Sequence, residues 1–225
     1  MIEQLLCKST SSEVVREVKF LGEVPTADLI NGTSLASAIG LTGGTAQHTD
    51  SPWLHFVLDG KTLYVAKKPY RSHVSWNHIN DAGAVFGTKT VEINELEYKV
   101  RLLKSVASGN IYTGSDNYDP VEAYDSEWNR LMYPIHSGNH IDPNNPSSDT
   151  GEGLRLGTLA QYTDIDLVVH PNAGDGSYSW CQETRSSNTG SRVFRGRRGV
   201  SYLSSVTASN VNSTYGWRPV LELVS

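Results

Sequence analysis

Short runs of alternating apolar and polar residues, separated by Gly, Asn, Ser and Pro, dominate this chain; alternation at period two is the mark of half-buried strands. In SSEVVREVKFLGEVP, the positions Val14, Val18 and Phe20 predict a short strand ending in a turn at Pro25. TADLINGTSLASAIGL carries an N-cap signal at Thr26 and a helical pattern around Leu35 and Ile39, stopped by Gly40. TGGTAQHTDSP is loop by composition. From Trp53 the signals strengthen: Trp53–Leu58 and Thr62–Ala66 read as strands joined by Asp59-Gly60, a favoured two-residue hairpin turn. Ser75 caps a short helix that Gly83 ends. Val91 to Leu103 reads as a second hairpin, and YDSEWNRLMYPI as a helix from Asp125 or Ser126 that stops before Pro134. Residues 136–153 form a long polar loop, and three strand-like runs close the chain. The expected fold class is therefore α+β: short strands, a few short helices and long loops. Residues 1–50 read as a small N-terminal anchoring or oligomerisation segment, and residues 51–225 as the folded domain.

Composition narrows the function. The 225 residues hold no apolar run near 18 residues, so no membrane span is expected, and Met1 to Thr10 lacks the pattern of a cleavable signal peptide. Cys7 and Cys181 are too far apart in sequence to suggest a metal or disulfide framework. The net charge of −5 conceals segregation. Residues 1–108 carry 11 acids and 11 bases, residues 109–183 carry 12 acids against Arg130 and Arg155, and residues 184–218 carry six arginines and no acid. That separation points to internal pairing between the acidic and the arginine-rich stretches. Its alternative is a cationic surface for phosphate or acidic sugar. A pI of 5.8 and a short basic stretch argue against nucleic acid as a partner.

RVFRGRRGVSY (Arg192 to Tyr202) followed by YGWRPVLEL (Tyr215 to Leu223) resembles the closing motifs of the C-type-lectin-like fold in its formylglycine-generating-enzyme branch. Six segments in order, WLHFVLDGKTLYVAKKP, SWNHINDAGAVFG, YKVRLL, SEWNRLMYPI, SWCQET and GWRPVLEL, resemble a module of bacteriophage and prophage virion proteins. The resemblance implies a C-type-lectin-like domain in a tail-fibre, appendage or decoration component, located at the outer surface of a virion, whose loops bind. It implies other virion proteins as partners, a host cell-surface polysaccharide or protein as target, and a homotrimer. The enzymes of that branch use a pair of cysteines near the C-terminal motif. Phe194 stands here where they tend to have Cys, so their chemistry is not carried over and Cys181 reads as a buried apolar side chain.

Other chemistry is sparse. No G-x-S-x-G elbow or papain-type cysteine signature occurs. His136 and His140 would share a face on a helix, but the Ser, Gly and Asn between them, after Pro134, favour a solvated loop pair. Asp142, Asp149 and Glu152 could hold calcium, yet no EF-hand spacing or lectin signature accompanies them. No catalytic residue, metal or cofactor is expected. Arg192 and Arg195 read as structural and Arg197 and Arg198 as outward-facing. Tyr112, Tyr118 and Tyr124 lie among acidic loop residues, in a composition that adaptable binding loops use. The expected ligand-binding residues are Tyr112, Tyr118, Tyr124, Asn139, His140, Arg197 and Arg198, on segments 109–125, 136–153 and 184–200. The expected function is non-enzymatic host-surface attachment by a virion component. The rival is a purely architectural part (collar, baseplate or capsid decoration) that never touches the host.

Overall fold

A computed structural model of the chain describes residues 17–114, 117–118, 123–137, 161–167, 176–196 and 199–224. The elements in chain order begin with β1 (Val18–Val24), α1 (Gly32–Ile39), β2 (Thr45–Ala46), β3 (Trp53–Leu58), β4 (Lys61–Ala66) and β5 (Arg71–Ser72). Then come α2 (Trp76–Asp81), β6 (Phe86–Ile93), β7 (Leu96–Arg101), β8 (Ile111–Tyr112), β9 (Asn117–Tyr118) and α3 (Glu127–Ile135). The last are β10 (Tyr178–Arg185), β11 (Asn188–Arg195), β12 (Tyr202–Thr207), β13 (Tyr215–Gly216) and β14 (Val220–Leu223).

Local chemistry explains the hairpins. Asp59 and Gly60 both take positive φ (50° and 81°), the twist that lets β3 and β4 pair directly. Asn94 and Glu95 do the same (52° and 66°) between β6 and β7. Helix α1 starts at Gly32, because the Asn31 side chain accepts the Ser34 N–H at 2.8 Å. The predicted start at Thr26 yields only a 3-10 turn over Thr26–Asp28. Pro134 does not end α3 as expected; the helix runs one residue past it to Ile135, forgoing only the backbone bond from position 134 to the Arg130 carbonyl.

Two six-stranded sheets result. The first has the order β1-β3-β4-β14-β7-β6 and is antiparallel throughout, so the last strand lies near its middle. The second has the order β13-β10-β11-β12-β9, with β8 also on β10. The expected α+β, C-type-lectin-like class is corrected: among the described residues three helices of six to nine residues stand against fourteen strands, and the fold is β-rich. The helices stay short because caps and left-handed stops such as Gly40 (φ 74°) bound them closely. The predicted binding segment 184–200 covers the end of β10 and all of β11, where the sequence reads as strand.

Each sheet sends apolar side chains from both faces into the cores. Trp53, Val100 and Leu221 enter one core with Leu35, Trp76, Trp180 and Phe194. Leu54, Phe56, Leu63 and Val220 enter a second core with Leu131, Met132 and Leu203. Residues 17–50, read as an anchoring segment, supply β1 to the first sheet and Leu35 and Ile39 to the first core. No helix among the described residues is long and apolar enough to cross a membrane.

Candidate functional site: a charged cleft at the rim of the first sheet

Along β7, side chains alternate: Tyr98 and Val100 enter the first core, while Lys99 and Arg101 face the other way. On that second face Leu131 and Met132 of α3 share a core with Leu54, Phe56 and Leu63, and the first turn of α3 reaches β7 through Glu127. Beyond that helix the sheet face opens into a cleft of about 470 Å³. Its walls are the β3–β4 turn, the outer residues of β7 and the segment that leaves β7.

The cleft floor is an ion-pair network. Arg101, 8% exposed, donates Nη2 to Glu127 Oε1 at 2.5 Å, Nη1 to Glu127 Oε2 at 2.8 Å, and Nε to Glu222 Oε2 at 2.7 Å. Lys61 Nζ donates to Glu222 Oε1 at 2.9 Å. Glu127 Oε2 also accepts the Lys104 N–H, tying the start of α3 to the departing chain. Arg130 grips Asp59 in the hairpin turn with two bonds of 2.5 and 2.6 Å. Burial works against the Arg101 charge, but the two facing carboxylates more than reverse it and hold its pKa above the ordinary value. Burial pushes Glu222 up, and Arg101 with Lys61 pulls it below the usual carboxylate range on balance.

A second polar assembly lies inside the protein. His136, at the end of α3, bonds Asp164 at 2.8 Å with both side chains fully buried, and Asp164 Oδ1 accepts the Val200 N–H. Arg195 reaches Asn129 Oδ1 at 2.7 Å and Val200 O at 3.4 Å. Arg218 donates to Ser179 Oγ and to the carbonyls of Lys67 and Leu167. Both guanidinium groups lie over the Trp128 ring, at 5.4 and 5.7 Å. These buried groups join α3 to the second sheet. Glu183, also buried, accepts the N–H groups of Ser105 (2.7 Å) and Val106 (3.3 Å) and so clamps the backbone of the cleft wall. Burial raises its carboxyl to about 7 despite those two donors. Cys181 is buried and its thiol is pushed up by desolvation, which makes it a poor nucleophile.

A further cleft of about 480 Å³ lies between the ends of α1 and α2. Its histidine, His78, is engaged in the α2 capping box with Ser75. Among the described residues, no three His, Cys, Asp or Glu side chains converge as a metal site.

The predicted residues fare unevenly. Tyr112 is fully buried in the second core, against the expectation of an exposed loop residue. Pairing of β8 with β10 turns Tyr112 inward and leaves Ile111 61% exposed. Tyr118 contributes its backbone to β9, opposite Tyr202. Tyr124 is half-buried just before Asp125, a residue of the cleft wall. Asn139, His140, Arg197 and Arg198 lie outside the described residues, as do Asp142, Asp149 and Glu152. His136 is buried and paired, not part of a solvated loop. Arg195 and Arg218 are held by amide, hydroxyl and carbonyl oxygens, whereas Glu127 and Asp59 form ion pairs with Arg101 and Arg130. Sequence reasoning missed Arg101, Glu127 and Glu222. The visible signal was the i, i+2 pair Lys99 and Arg101 on a predicted strand.

Compared with known protein families, curated proteins and solved structures, the chain matches no family model, no curated protein and no solved structure.

Proposed function

We propose that this chain is a non-enzymatic component of a bacteriophage virion that displays surface segments for attachment to a host cell. The observation that carries this reading is where the polar chemistry lies. Buried charges such as Arg195, Arg218, Asp164 and Glu183 are bound up in joining sheets and helix, while the open charged cleft lies outside, at the root of segment 109–125. A frame with two apolar-faced sheets that leaves its adaptable chemistry to connecting segments suits recognition. The order of the six motifs that resemble virion modules supports the particle setting. A buried, raised-pKa Cys181 supports the non-enzymatic part.

Attachment is tested with the purified full chain against a panel of bacterial strains, by pull-down and flow cytometry. Saturable binding to a subset of strains is the expected result. Binding to no strain, with stable incorporation among other virion proteins, would overturn attachment in favour of an architectural part.

A further inference from the structure

Five cations and four carboxylates line the rim cleft, and their pairing is uneven. Arg101 is shared by Glu127 and Glu222, Lys61 leans on Glu222, and Arg130 is bound to Asp59. Among the described residues, the exposed ammonium groups of Lys99 and Lys104 make no ion pair or side-chain hydrogen bond. Asp125, the fourth carboxylate, acts on Arg130, so the cleft holds one net positive charge, and it falls at these two lysines beside a floor that is already neutralised.

Phe86 forms part of the same wall. It pairs with Arg101 across the β6–β7 hairpin, just before the register slip that spans Gly87. The ring stands edge-on to Trp76 at 6.0 Å, yet is 45% exposed. A single fixed aromatic face among charged groups, with the exposed amide residue Asn110 nearby, gives no groove for an apolar helix. The volume, about 470 Å³, lies in the range of small-molecule subsites.

The geometry points to a binding subsite for an anionic sugar, with its carboxylate or phosphate on Lys99 and Lys104 and the C–H face of its ring on Phe86. This assignment rests on the attachment reading and gives it a ligand class. Arg101, Glu127 and Glu222 act as positioning residues: they hold β7, α3 and β14 in the register that presents the two lysines beside the ring.

The test is isothermal titration of the full chain with four probes: trigalacturonate, glucose 6-phosphate, maltotriose and inorganic phosphate. Saturable binding of at least one charged sugar, weakening with salt, and none of maltotriose is expected. Preference for trigalacturonate assigns carboxylate sugars, and preference for glucose 6-phosphate assigns phosphorylated ones. The double variant Lys99→Gln/Lys104→Gln should lose about tenfold in affinity for the charged sugar, and Phe86→Ala a similar factor, with inorganic phosphate binding unchanged in the latter. Both variants alter exposed side chains, so unchanged thermal midpoints serve as the folding control. No binding of either charged sugar, equal binding of maltotriose, or full affinity in the double variant would each overturn the subsite. The two readings separate on cells. If wild type and the double variant bind a strain equally, the subsite falls and attachment stands. If a charged sugar fills the cleft but no strain is bound, attachment falls and the subsite stands.

Discussion

Glu183 and Arg101 carry opposite electrostatic consequences, although both are buried beside the same cleft wall. The Glu183 carboxyl titrates at about 7 in the fold against 4.5 in the free chain, so its neutral form is favoured inside. The stability it contributes is complete below pH 4.5 and is lost as pH rises through about 7, a swing of about 3 kcal/mol. Glu183→Gln keeps an acceptor for the Ser105 and Val106 N–H groups and removes the charge. Relative to wild type, its thermal midpoint should gain at pH 8 and change little at pH 4; an identical pH profile would show that Glu183 does not set it. Arg101→Met strands Glu127 in a mostly buried site, leaves Glu222 with Lys61 alone, and should cost about 3 kcal/mol at pH 7 by urea denaturation. Because protonation removes the stranded charge, that cost should shrink in acid. A loss below about 1 kcal/mol at pH 7 would mean that the pairs behave as surface contacts.

At the scale of elements, caps and turns were the legible part. Asp59-Gly60 predicts its own hairpin, because few residues adopt two successive positive φ values, and the structure places it there. Ser126 was readable as an N-cap: its hydroxyl accepts the Asn129 N–H from a fully buried position. Ser126→Ala should therefore destabilise the protein by about 1 to 2 kcal/mol by chemical denaturation, and Ser126→Asn by less. Thr26 and Asn31 are both acceptable caps in sequence, and only packing of Leu35 and Ile39 into the first core decides for Asn31. Tyr112 illustrates the opposite limit. A two-residue strand has no alternation to read, so which of Ile111 and Tyr112 turns inward depends on a neighbour, β10, far along the chain. The cleft was illegible for the same reason: Arg101 lies 26 residues from Glu127 and 121 from Glu222.

For the molecule as a whole, the first sheet is joined through its last strand. β14 bonds β4 on one side and β7 on the other, so without it, among the described residues, β1-β3-β4 and β7-β6 share no backbone hydrogen bond. Ending the chain after Arg218 should abolish the cooperative thermal transition and the near-ultraviolet signal of the buried tryptophans; a retained transition would mean that the two cores hold the halves together unaided. Glu222 belongs to that same strand, so the loss would also dismantle the cleft floor. The central place of β14 has a consequence in time as well. During synthesis, some 150 residues separate β4 from the segment that completes its pairing, and until that segment clears the ribosome the facing edges of β4 and β7 remain open to strands of neighbouring nascent chains. Production of this protein should thus be sensitive to translation speed between β7 and β14, and pausing there would favour aggregation over folding.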